Sequence, residues 1–187
     1  MSEPKPLLAP LRPPASEPRL WKGGGFVEDF WTIIADDAAL PETGHVVVSL
    51  ARWRNERAAL ARLGVPLGVA VSPGEELDPV ADEVEWLQLV QLTFPKFTDG
   101  RAYSTARRLR EHGFSGEIRA IGDVLLDQIP LMLRCGFDAL QIVHTPTVAA
   151  LERGELPAVS RVYQAATETV RQHWRSRRAR PEAATAS

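Results

Sequence analysis

Phe94-Pro95-Lys96-Phe97-Thr98-Asp99-Gly100-Arg101 is the segment whose residue types come closest to a chemical device. Lys96 is one of three lysines against nineteen arginines, and the other two, Lys5 and Lys22, lie in or near the N-terminal stretch. A compact ammonium in this loop serves either as a point charge for an anion or as an amine whose pKa burial can tune; an exposed loop lysine is the plain alternative. Gly100 to His112 reads as a helix, so Thr98 or Asp99 can cap it, and Asp99-Gly100 is equally a turn signal. A helix N-terminus offers free N–H donors and partial positive charge, and Lys96 and Arg101 lie within a few residues of this one. Lys96, Thr98, Gly100 and Arg101 are therefore candidate ligands for a phosphate, sulfate or carboxylate. Asp99 supports them, by capping first and by chemistry second.

Further candidates lie near the ends of predicted strands. Arg52 follows His45–Leu50, Asp123 follows Glu117–Ile121, and His144 follows Ala139–Val143, where it can serve as an acid–base group. Gln128 falls in the apolar arc of a helix predicted over Val124–Cys135; a tie to a neighbouring loop is the first reading, ligand contact the second. The four histidines, His45, His112, His144 and His173, lack paired ligand spacing, so no metal site is expected. No Gly-x-Gly-x-x-Gly opens a helix after a strand and no phosphate-loop lysine motif occurs, so no cofactor is evident. Cys135 is the sole cysteine, which excludes an intramolecular disulfide and a cluster held by four thiolates of this chain. It precedes Gly136 at the end of an apolar helix and reads as a buried structural thiol.

These residues need a frame. Short β-like runs at Phe26–Val27 and Trp31–Ala35 precede strands predicted over His45–Leu50, Leu67–Val71, Trp86–Leu92, Glu117–Ile121 and Ala139–Val143. Helices are predicted over Ala51–Leu63, Gly100–His112, Val124–Cys135, Thr147–Arg153 and Ala158–Ser176, with an acidic connection from Ser72 to Glu85 and a short helix from Pro79. Pro130 lies inside one of them and predicts a kink or an early 3₁₀ turn, and Gly136 ends that helix in the left-handed conformation. Strands alternating with helices give an α/β fold: a mainly parallel sheet from consecutive βα units. A complete eight-stranded barrel takes about 250 residues, so about six strands imply an open or incomplete TIM-barrel-like sheet. Ligands in such folds bind beyond the carboxyl ends of the strands.

At 187 residues and 44% hydrophobic, the chain fits one domain, placed at residues 21–178 between a disordered proline-rich arm (1–20) and a disordered tail (179–187). A net charge of −2 and a pI of about 6.1 give no global basic field for nucleic acid or an anionic membrane. No run approaches the roughly 20 apolar residues of a membrane span, and the N-terminus has no apolar signal core. A cytoplasmic location is expected.

The central block also resembles a bacterial family, domain of unknown function 934. The resemblance is carried by Phe94 to Arg101, Ser104, Leu109-Arg110, Gly116-Glu117, Arg119-Ala120, Gly122-Asp123-Val124, Asp127-Gln128 and Arg134-Cys135-Gly136-Phe137-Asp138. It extends from about Val46 to Val143, with Leu50-Ala51-Arg52-Trp53 also fitting. It implies a link to sulfite reduction, because the family is labelled an oxidoreductase of that pathway and its members accompany genes of assimilatory sulfate reduction. No catalytic residues carry over. The first expectation is an accessory protein acting with sulfite reductase or its electron donor. The second is a small enzyme or sensor that binds a sulfur oxyanion, or another anionic metabolite, at the carboxyl edge of the sheet.

Overall fold

A computed structural model describes residues 17–80, 82, 84–95 and 100–157. The strands are β1 (Arg19–Lys22), β2 (Gly25–Val27), β3 (Trp31–Ile33), β4 (His45–Ser49), β5 (Leu67–Val71), β6 (Leu89–Phe94), β7 (Glu117–Gly122) and β8 (Ala139–Ile142). The helices are α1 (Leu50–Asn55), α2 (Arg57–Leu60), α3 (Arg101–Glu111), α4 (Ile129–Cys135) and α5 (Thr145–Glu152). All eight strands join one sheet in the order β2-β1-β8-β7-β6-β5-β4-β3. β3 to β8 are parallel neighbours in chain order, and the β1–β2 hairpin adds antiparallel to β8.

The sheet is therefore mixed and has eight strands, not the expected six or so. The strand not expected is Arg-Leu-Trp-Lys, whose first two residues fall inside the segment read as an arm, and the β-like run at Phe26–Val27 pairs with it as β2. Leu20 and Trp21 are buried, which gives so short a strand its reason to pair. The pattern of consecutive βα units also holds only in places. Among the described residues, the β3–β4 connection has no helix and the β5–β6 connection has only a 3₁₀ turn, Val84–Trp86. Among the described residues, Pro79 and Val80 lie in a turn, where the short helix was expected.

The connector between β2 and β3 explains why the open sheet curls. Laid flat, eight strands would hold their outer edges roughly 34 Å apart. Glu28-Asp29-Phe30 is all that joins those two edges, and such a link reaches at most about 15 Å. The sheet consequently bends into a half-barrel, open between β2 and β3.

Strand alternation gives the curled sheet two unlike faces. On the convex face Val48, Val69, Leu92, Ile118 and Leu140 pack with Trp53, Leu109 and Met132 of the covering helices in one apolar core. On the concave face Val47 and Leu89 are fully buried near the strand starts, with Glu117 the cross-strand partner of Leu89. Polar residues take over further along it.

Two local sequences set the helices that matter here. Ser49 caps α1 by accepting a hydrogen bond from the Arg52 amide at 3.0 Å. A 3₁₀ turn, Leu126–Gln128, precedes α4, so Pro130 falls in the first turn of the α-helix, where its missing N–H costs little. Gly136 closes α4 with φ of 104°.

Candidate functional site

The carboxyl ends of β4 to β8 share one edge, and most sequence candidates gather along it. Lys96, Thr98 and Asp99 lie outside the described residues. Gly100 occupies the N-cap position of α3, the place expected for Thr98 or Asp99. Arg101 is the first helical residue and is exposed. It lines a cleft of about 200 Å³ with Glu75, Glu76, Ser104, Thr105 and Arg108, so the acidic loop after β5 faces the basic start of α3. Glu75 also shapes its own loop by accepting from the Ser72 amide at 2.7 Å.

Asp123 stands at the end of β7, and its amide donates to the Phe94 carbonyl at 2.9 Å. That bond places it beside the start of the Phe94–Arg101 segment. Gly122 makes the approach possible: its φ is +96°, and a Cβ there would lie 2.4 Å from the Phe94 carbonyl oxygen. His144 takes the N-cap position of α5, and its Nδ1 lies 2.8 Å from the Thr147 hydroxyl. This bond fixes the ring at the strand end.

Arg52 and Gln128 have structural partners. The Arg52 guanidinium donates to the carbonyls of Ala35 and Ala38 at 2.6 and 2.8 Å and to Glu56 at 3.2 Å, tying the β3–β4 connector to α1. Gln128 Oε1 accepts from the Leu125 amide at 3.2 Å, a tie within its own loop. Cys135 is buried, and burial raises its pKa although Arg107 and Arg134 pull the other way. Among the described residues, no three His, Cys, Asp or Glu side chains gather to hold a metal ion. No described helix is long and apolar enough to cross a membrane.

Two polar knots escaped the reading of the sequence. Arg110, 8% exposed, donates to the carbonyls of Phe114 and Gly116 at 2.8 Å and of Gly136 at 3.0 Å, and pairs with Asp138. Asp138 in turn accepts from the Ile118 amide at 2.8 Å. Arg119, 1% exposed, donates to Glu117 at 2.8 Å and to Asp29 at 2.7 Å, while Lys22 bonds Glu117 at 2.6 Å. The sequence did carry a signal for the second knot: Glu117, Arg119 and also Gln91 are polar residues at period two within otherwise apolar strands.

The model of a family described as bacterial protein of unknown function (DUF934) matches residues 68–174, more than half of the chain. The chain belongs to this family. The DUF934 match covers the edge from β5 onward, including Arg101, Asp123 and His144, together with both polar knots except Lys22 and Asp29. No curated protein and no solved structure matches the chain. Several residues that carry the DUF934 resemblance now have architectural reasons. Arg110, Gly116, Gly136 and Asp138 form one knot, and Gly122 permits the contact with Phe94.

Proposed function

We propose that this DUF934 protein is an accessory component of assimilatory sulfite reduction that docks on the sulfite reductase or its electron donor. The observation that carries this reading is the outward face of α3. Arg101, Ser104, Arg107 and Arg108 are exposed there, while Ala106 and Leu109 anchor the opposite side in the core. An arginine-rich helix face held on a rigid apolar base suits electrostatic recognition of an acidic partner. Glu75 and Glu76 across the cleft add a contact of opposite sign, which helps fix orientation. The pathway rests on the resemblance of the central block. The electron-transfer chemistry belongs to the partner, and this chain contributes binding and positioning.

The test is titration of purified sulfite reductase, with and without its electron donor, by the full chain and by an Arg107→Glu/Arg108→Glu variant. Salt-sensitive binding that falls by at least about tenfold in the variant is the expected result. Equal binding by both proteins, or binding by neither, contradicts docking through this face.

A second reading places a sulfur oxyanion at the same edge, held by Lys96, Thr98, Gly100 and Arg101, with Asp99 and Asp123 orienting groups and His144 moving protons. The place of Arg101 at the N-terminus of α3 supports it. Under this reading Lys96→Ala abolishes binding of sulfite or sulfate and leaves complex formation intact. The opposite pattern supports docking.

A further inference from the structure

Among the described residues, the seam of the half-barrel is apolar and exposed. Val27 on β2, Phe30 on the connector and Ile33 on β3 are 46%, 64% and 63% exposed, three large apolar side chains within seven residues. Phe26 and Ile34, before and after Phe30 in the chain, pack half-buried against the convex core, so the exposed ring stands on an apolar margin. The covering helices stop on either side. α5 packs on β8 and β2, α1 packs on β4 and β5, and no described helix joins β3 to β4. An apolar margin between two covered parts of one sheet calls for a further covering element.

The chain leaves α5 beside this seam. Glu152 at the end of α5 pairs with Arg19, whose guanidinium carbon lies 4.0 Å from the centre of the Phe26 ring. The helix predicted over 158–176 follows at once and lies outside the described residues. Its sequence sets Val159, Val162, Tyr163, Ala166, Val170 and Trp174 at spacings of three and four, one apolar stripe roughly 22 Å long on a helix. Arg161, Gln164, Glu168, Gln172 and Arg175 fall on the opposite side. Such a stripe is stabilised by packing on an apolar surface rather than by propensity alone. The DUF934 match runs to residue 174 and so takes in the whole stripe. Charge sets the direction. Five arginines and no acid stand between 171 and 180, and the connector after β3 exposes Asp36, Asp37 and Glu42. A helix that starts beside β2 and ends over this connector brings cation to carboxylate.

We propose that residues 158–176 of this chain form a helix that covers the seam, with the stripe from Val159 to Trp174 seated on Phe30 and its apolar margin. The segment completes the helical layer between α5 and α1 and shields the exposed edge strands from pairing with other chains.

Limited trypsin digestion of the full-length protein tests this. Cleavage after Arg161 and Arg171 is slow in the parent and at least about tenfold faster in Phe30→Ser, because proteolysis follows the population of the open form. Val170→Asp, which leaves the sheet untouched, gives the same acceleration and shifts the Phe30 ring signals in the NMR spectrum. Combining the two substitutions adds little, since either one already breaks the contact. Fast cleavage in the parent, a rate unchanged by Phe30→Ser in a folded protein, or Phe30 signals unmoved by Val170→Asp overturns the proposal. So does protection that is lost on dilution together with a dimer in sedimentation, which assigns the seam to the segment of a second copy.

Discussion

Asp29 and Arg119 are 90 residues apart in the chain, and their side chains meet at 2.7 Å. Asp29 sits on the three-residue connector between the edge strands β2 and β3, whereas Arg119 lies within β7 near the middle of the sheet. The pair therefore ties the two free edges to the centre and holds the curl that the short connector imposes. Glu117 and Lys22 extend the tie to the β1–β2 hairpin.

Removing Asp29 tests that tie. Asp29→Ala leaves buried Arg119 with Glu117 as its remaining carboxylate, and an unmet donor of this kind costs about 1–3 kcal/mol. Urea denaturation should show that loss. A second change, Arg119→Met, should recover part of it, because removing both charges relieves the burial penalty that removing one exposes. Strictly additive losses would show that the two side chains do not act as a pair.

Gly122 is the second structural test. With φ of +96° and no room for a Cβ against the Phe94 carbonyl, Gly122→Ala strains the backbone and pushes apart the ends of β6 and β7. The expected loss is more than about 1 kcal/mol, accompanied by amide chemical-shift changes at Asp123. Gly113→Ala, also at positive φ but with open space around it, is the control for strain without collision. Equal losses in the two variants would remove the packing argument.

Much of this frame was legible beforehand. The runs His-Val-Val-Val-Ser and Leu-Gly-Val-Ala-Val became β4 and β5, because β-branched and apolar residues over five positions suit a strand buried on both faces. Gly136 ended α4 as read. β1 was missed because four residues with two central apolar side chains carry no periodicity; they become a strand only by pairing with β8, more than a hundred residues later. β6 begins three residues later than predicted, since Trp86 belongs to a 3₁₀ turn, where its ring lies tilted against that of Trp53 with centroids 4.2 Å apart. At the candidate site, position along the strand-end edge was readable, but partners were not. Arg52 has the type and position of a ligand, but the carbonyls of Ala35 and Ala38 occupy its guanidinium. Arg110 carries no mark in the sequence, because its carbonyl partners come from two separate connections, α3–β7 and α4–β8.

Acid stability should report on Asp82. Burial pushes its carboxyl pKa up, but hydrogen bonds from Arg54 and the Asp78 amide, with the charges of Arg54 and Arg57, outweigh burial and hold it below the usual carboxylate value. A depressed pKa contributes stability that is fully present above the unfolded value of about 3.9 and is lost as pH falls through the folded one. Asp82→Asn should therefore be less stable at neutral pH and lose less stability than the parent between about pH 4 and pH 2. Parallel stability curves over that window would contradict the assignment.

Alkaline behaviour should report on Tyr103. Burial, with smaller contributions from Cys135 and Asp127, raises its pKa to about 12. The unfolded chain releases this proton near pH 10, so the folded state loses stability as pH rises above that value. Ultraviolet titration of native protein should find Tyr103 un-ionised at pH 10, and Tyr103→Phe should flatten the alkaline decline. A Tyr103 that ionises at its ordinary value would contradict its burial against Phe94 and Phe137.

Cys135 supplies a chemical check on the core. A buried thiol with a raised pKa presents little thiolate. A disulfide reagent should label it slowly in the native protein and rapidly in urea. Fast native labelling would mean that the α3–α4 layer opens readily.

The proposed role in sulfite reduction is tested most directly by growth of a deletion strain on sulfate, sulfite or sulfide as sole sulfur source. The strain should be rescued by sulfide but not by sulfite. The intact gene should restore growth, and the Arg107→Glu/Arg108→Glu form should not. Unimpaired growth of the deletion strain on all three sources would contradict the assignment to this pathway.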